Sequence, residues 1–144
     1  TCGSDKKEVK VGDIVLADSA YSISTFGEVV KPGASNIMEA SKDLTNMIGN
    51  KALEINLNIK RGMIYTSDVF DVYIDTSKII NGKDVLVSEM ETYGLFIIAS
   101  LLNKEAASVL TVVDSKFEDK VISSEDREKS LNDMIKLVLE AILS

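Results

Sequence analysis

Residues 85–102 read Val85-Leu86-Val87-Ser88-Glu89-Met90-Glu91-Thr92-Tyr93-Gly94-Leu95-Phe96-Ile97-Ile98-Ala99-Ser100-Leu101-Leu102, and the fold follows from this stretch. Val85-Leu86-Val87 is a short aliphatic, β-branched run of the kind that forms a buried strand. It passes through the polar tetrad Ser88–Glu91 without a turn residue. Tyr93 to Leu102 is then nearly all apolar, which predicts a helix buried on most sides. Ala106 to Val113 is a second apolar, β-branched run, ending at Asp114. Strands alternating with helices predict an α/β fold, and this order favours parallel pairing with right-handed crossovers. In such sheets ligands bind outside the carboxyl ends of strands, so Ser88–Glu91 and Asp114 are expected on one edge.

Toward the N-terminus, Asp13 to Ala17 predicts a buried strand, followed by a loop carrying Gly27 and the single proline, Pro32. From Ala34 to Leu53, Ile37, Met38, Leu44, Met47 and Ile48 recur at helical spacing and predict a surface helix ended by Gly49 or Asn50. Leu53 to Tyr65 alternates apolar and polar and predicts a strand. Ser67-Asp68-Val69-Phe70 leaves the sheet as a loop. Toward the C-terminus, a polar loop runs to Ile122. A final helix starts near Ser123 or Ser124, either a plausible N-cap, with Leu131, Met134, Ile135, Val138 and Ile142 as its core-facing stripe. No repeat or linker divides the chain.

The 144 residues, 45% hydrophobic and 27% charged, suit one globular domain and exclude disordered or collagen-like chains. The net charge of −7, with no histidine, supplies no basic field for a phosphate backbone, and Lys60-Arg61 is too short a patch to provide one, so nucleic acid is not an expected partner. The lone Cys2 forms no intrachain disulfide, which fits a reducing compartment, and no metal-ligand spacing is present. The longest apolar stretch is far shorter than the roughly 20 residues that span a bilayer, so no membrane partner is expected. The N-terminus, Thr1-Cys2-Gly3-Ser4-Asp5, has neither an initiator methionine nor signal-peptide features and reads as the middle of a longer chain.

Glu91 and Asp114 each follow an apolar strand, and two carboxylates sharing a partly desolvated pocket push their pKa values apart. One can then hold a substrate in its ionised form while the other carries a proton. By spacing alone, acidic residues at strand ends more often cap helices or accept from loop amides. Arg127, in the first turn of the last helix, more often reads as a solvated side chain.

Glu89-Met90-Glu91-Thr92-Tyr93-Gly94, Thr111-Val112-Val113-Asp114, Ser124-Glu125-Asp126-Arg127 and Leu131-Asn132-Asp133-Met134-Ile135-Lys136, in that order and without a gap in spacing, resemble the C-terminal part of hexameric bacterial-type purine nucleoside phosphorylases. Thr1-Cys2-Gly3 and Ser67–Phe70 fall at that family's phosphate-side and base-side loops. The resemblance implies a three-layer α/β/α sandwich around a central mixed sheet, here lacking its N-terminal half as a single partial domain. The implied reaction is reversible phosphorolysis of purine ribonucleosides and deoxyribonucleosides to free base and sugar 1-phosphate. Inorganic phosphate would be the co-substrate, with no other cofactor and no metal.

The family pattern implies Asp114 as the protonated general acid toward the purine and Arg127 as the residue that swings toward it. It implies Glu91 on the ribose hydroxyls, opposing positive charge on an oxocarbenium-like sugar. Met90 would lie against the sugar, Glu89 beside it in a lesser role, and Phe70 against the base. Cys2 and Gly3 would line the base through main chain, and Thr1 would bind phosphate. A cytoplasmic homo-oligomer, a trimer of dimers when complete, is the implied assembly, acting in purine salvage.

The chain also departs from the pattern. Val113 stands where the family has serine, the loop from Ser115 to Ile122 has diverged and lacks the family's histidine, and the glycine-rich phosphate loop of the family's N-terminal half has no counterpart. The chain by itself is therefore expected to be inactive. The alternatives are a non-catalytic nucleoside-binding fragment, a methylthioadenosine or adenosylhomocysteine nucleosidase, and a uridine phosphorylase of the same superfamily. Arg127 and Asn132-Asp133-Met134 argue against the nucleosidase, and Asp114 argues against the uridine enzyme.

Overall fold

The computed structural model describes residues 1–70, 73–118 and 123–143, apart from the side chains of 124, 127 and 130. The elements are β1 (Cys2–Ser4), β2 (Ile14–Tyr21), α1 (Phe26–Val30), β3 (Ile37–Glu39), α2 (Lys42–Glu54), β4 (Ile59–Thr66), α3 (Thr76–Ile79), β5 (Val85–Glu89), α4 (Thr92–Leu101), β6 (Val109–Ser115) and α5 (Ser124–Leu143). The strands form one mixed sheet in the order β3-β2-β4-β5-β1-β6, as an α/β fold requires. β2 is buried along almost its whole length, the mark of a strand covered on both faces. It runs parallel to β4, which runs parallel to β5.

The expected parallel pairing stops there. β1 lies between β5 and β6, antiparallel to the first and parallel to the second, so β6 runs against β5. β6 also pairs antiparallel with Ile14–Leu16 of β2, while β3 takes Ser19–Tyr21 farther along β2. The sheet thus curls until its ends join.

The continuous helix expected from residue 34 to 53 is two elements. Ile37 and Met38 pair with Tyr21 and Ala20 as an edge strand, and the helix begins only after Ser41. Neither Gly49 nor Asn50 ends it. Gly49 is buried against the Arg61 guanidinium, and the helix runs on to Glu54. It stops where Asn56 takes a left-handed conformation (φ 54°) and Leu57 N–H donates to the Ala52 carbonyl at 2.8 Å. The alternating pattern that follows therefore becomes strand only from Ile59. Asn103 (φ 52°) ends α4 in the same way, with Lys104 N–H on the Ala99 carbonyl at 2.9 Å. The loop expected around Gly27 contains the short helix α1.

Two burial expectations are also corrected. α4 buries Tyr93, Phe96 and Ile97 but leaves Leu95, Ile98, Leu101 and Leu102 exposed, because only one side of it meets the sheet. On α5 the buried positions are Leu137 and Ala141, whereas Ile135 and Ile142, assigned to the core stripe, are 49% and 66% exposed. α5 packs chiefly on α2 and β6, so its contact strip is narrow. Its N-cap is Ser123, whose hydroxyl accepts from Asp126 N–H at 3.0 Å.

Candidate active site

Three strands and one loop converge on a cleft of about 390 Å³. β1 brings Thr1, Cys2 and Gly3, β5 brings Ser88 to Glu91, β6 brings Val113 and Asp114, and the loop after β4 brings Ser67, Val69 and Phe70. Register explains the convergence. Gly3 pairs with Ser88 on one side and with Asp114 on the other, so the two sequence-distant strand ends share one row. The shift of register between Cys2 and Gly3 marks an irregularity at this point. A Cβ on Gly3 would overlap Asp114 Oδ1, so glycine is the residue that lets this carboxylate lie across β1.

Eight of the nine residues singled out from the sequence therefore line one cleft: Thr1, Cys2, Gly3, Phe70, Glu89, Met90, Glu91 and Asp114. The ninth, Arg127, falls in the first turn of α5, but its side chain lies outside the described residues. So does residues 119–122 of the diverged loop.

The three carboxylates are not equivalent. Glu89 is buried and its oxygens are fully engaged: one accepts from the Thr66 hydroxyl, and the other accepts from Glu91 N–H, Thr92 N–H and the Thr92 hydroxyl, each at 2.8 Å. It fastens the first turn of α4, where backbone donors have no helical partner and negative charge is favoured. Glu91 is exposed, with one oxygen 3.2 Å from Met90 N–H, and stands between the main cleft and a smaller hollow of about 240 Å³ that also contacts Ser22, Ser24 and Asp68. Asp114 is exposed at the opposite strand end.

The apolar surfaces are Phe70, Val69, Met90 and Val113. Phe70 and Met90, 53% and 44% exposed, are solvent-facing large apolar side chains beside carboxylates, which suits a flat, partly apolar ligand. Cys2 is the opposite case. Its side chain is buried and its thiol is pushed up from 9.0 to about 12, chiefly by burial, with Glu89, Asp114 and Asp5 adding in the same sense against the amino group of Thr1. A thiol held in that form is not a nucleophile at neutral pH, so Cys2 offers the cleft its main chain.

Ser67, Val69 and Ser88 also line the cleft; the sequence places them in the base-side loop and the polar strand end but gives them no individual roles. Ser67 accepts from Val69 N–H at 3.1 Å and donates to the Val69 carbonyl at 2.6 Å, a local turn that presents Phe70. Its Ser-Asp signature was a signal for the turn alone. Among the described residues no group of three or more His, Cys, Asp or Glu side chains is placed to hold a metal ion. Nor is any helix among them long and apolar enough to cross a membrane.

Comparison with known proteins agrees with this fold. The chain is 35% identical over 144 residues to a DeoD-type purine nucleoside phosphorylase of Bacillus cytotoxicus, covering 99% of this chain and 61% of that protein. It is 34% identical, with the same coverage, to the protein of that name from Bacillus thuringiensis. The chain thus spans about 61% of the length of the curated relatives it matches. A solved structure of the P. knowlesi homologue of P. falciparum PNP superposes with a TM-score of 0.81 at 20% identity, over 98% of this chain and 57% of that one, which shows the shared fold. A sequence model described as the phosphorylase superfamily matches residues 1–144, and the chain belongs to that superfamily.

Proposed function

We propose that the cleft binds a purine nucleoside and that the protein catalyses its reversible phosphorolysis to a free purine and ribose or deoxyribose 1-phosphate, as a pentosyl-transferring enzyme of purine salvage. The observation that carries this reading is the joint exposure of Asp114 and Glu91 in one cleft with Phe70 and Met90. A phosphate oxygen attacks C1′, the bond from C1′ to N9 breaks, and its electron pair passes to the base. Asp114 delivers a proton to N7 so that the purine leaves neutral, with Arg127 as the residue that assists this transfer. Glu91 holds the ribose hydroxyls and opposes positive charge on the sugar in the transition state. Met90 packs the sugar and Phe70 the base, Cys2 and Gly3 line the base through main chain, and Thr1 contacts phosphate.

Glu89 belongs to this reading as a positioning residue, since its carboxylate is occupied in holding the loop that carries Met90 and Glu91. Inorganic phosphate is the co-substrate and no further cofactor takes part. The active assembly is a homo-oligomer, a trimer of dimers, in the cytoplasm. The test is phosphate-dependent cleavage of inosine by the protein as expressed from its gene. Asp114→Asn should lower the rate by about 10²–10⁴, whereas Asp43→Asn, on the exposed first turn of α2, should leave it intact. Equal rates for the two variants would refute the assignment of Asp114.

A further inference from the structure

A polar chain behind the β5 wall of the cleft is not used by the chemistry above. Ser88, a lining residue that is itself buried, donates its hydroxyl proton to one oxygen of Asp5. The Asp5 side chain is 1% exposed, and its other oxygen is paired with the Lys116 ammonium, which also reaches the Thr76 hydroxyl at 2.5 Å. Asp5 follows β1 directly, and Lys116 stands two residues after Asp114, so the chain fastens together the same three strand ends that build the site.

A carboxylate paired with an ammonium has only lone pairs to offer. Ser88 has a single proton, and the geometry commits it inward. Among the described residues this is the one hydrogen bond its hydroxyl makes. What remains on the cleft side is acceptor capacity. Opposite, across Gly3 and about two strand spacings away, stands Asp114.

We infer that Ser88, its hydroxyl oriented by Asp5 and Lys116, is a specificity-determining residue that presents a hydrogen-bond acceptor to the nucleobase and selects 6-oxopurines over 6-aminopurines. The inference rests on the phosphorolysis reading for the orientation of the base. With N7 at Asp114, the amino group of adenine lies beside N7 on the Asp114 side, and the remaining ring nitrogens of its six-membered ring offer only lone pairs. A 6-oxopurine carries N1–H there, and guanine adds a 2-amino group. An acceptor wall meets donors in the second case and repels lone pairs in the first.

The experiment compares kcat/KM for guanosine and inosine with that for adenosine, using the protein as expressed from its gene. Wild type should favour the 6-oxopurine nucleosides. Ser88→Ala should lower that ratio roughly fivefold to tenfold, and Ser88→Thr, which keeps the hydroxyl, should restore most of it. Asp5→Asn should move the ratio further toward adenosine, because an amide can donate to Ser88 and release its proton to the cleft. Ratios unmoved in Ser88→Ala and Asp5→Asn, or a wild type that favours adenosine, would overturn the inference.

Calorimetry of free guanine and adenine on wild type reads the same preference without any variant, and guanine binding no tighter than adenine would also overturn it. A wild type that binds guanine more tightly than adenine yet cleaves no purine nucleoside with phosphate present would support the acceptor wall while refuting the reaction.

Discussion

Gly3 has no side chain because the Asp114 carboxylate occupies the space a Cβ would need. Gly3→Ala should therefore displace the proposed acid before it disturbs the fold: kcat for phosphorolysis falls at least tenfold while the urea midpoint moves little, both read on the same preparation. Its neighbour Cys2 should stay silent toward a thiol reagent at pH 8 until the protein is unfolded, because its thiol is pushed up to about 12. The folded state keeps this proton to higher pH than the unfolded chain, so the contribution is complete below the unfolded thiol's range and is lost as pH rises from there toward 12. Tyr65 and Tyr93, both raised by burial, act in the same sense. Urea midpoints at pH 8 and pH 10.5 should show the decline. At this scale the ordered motifs made Glu91, Asp114 and Thr1-Cys2-Gly3 legible, because their spacing survives in the chain. Ser88 was legible only as part of the polar strand end, and Asp5 and Lys116 were not legible at all. Their meaning depends on the register that places β1 between β5 and β6, and no local pattern encodes that pairing. Glu89 reads in sequence as a third site carboxylate, and only the helix amides and hydroxyls gathered on it reveal a structural duty.

Among the elements, α4 and α5 are the most informative. Removing the Glu89 carboxylate leaves two α4 amides and two threonine hydroxyls without their acceptor. Glu89→Ala should cost about 2–3 kcal/mol of stability, against less than about 0.5 for an exposed-site change elsewhere on the surface, measured by urea denaturation. On α5, Leu137→Ala should cost about 2–5 kcal/mol because it opens a cavity at a fully buried site, whereas Ile142→Ala, at 66% exposed, should change the same midpoint little. Helical period located both helices in the sequence, but a period alone does not say which arc of a mostly apolar helix meets the sheet. The split between β3 and α2 was hidden for a related reason: Ile37 and Met38 fit a helical stripe and an edge strand equally, and pairing with β2 decides between them. The helix end at Asn56 was missed because asparagine, unlike glycine, is only an occasional left-handed cap, whereas α4 stops where its apolar run does, at Leu102 beside Asn103.

The whole molecule closes its sheet through the pairing of β2 with β6, and β1, seated between β5 and β6, brings their C-terminal ends to one cleft although the strands run in opposite directions. The exposed residues Leu95, Ile98, Leu101 and Leu102 of α4 form an apolar face of the kind that covers itself by association. On the proposed homo-oligomer, sedimentation equilibrium should give a mass that is a multiple of the monomer's, and Leu95→Glu should shift it downward. Phosphorolysis differs from hydrolysis in what happens to a nucleoside with and without phosphate. Inosine incubated with the protein as expressed from its gene should yield hypoxanthine and an equal amount of ribose 1-phosphate only when phosphate is supplied. Release of hypoxanthine with free ribose at the same rate in phosphate-free buffer, or no release in either, would contradict it.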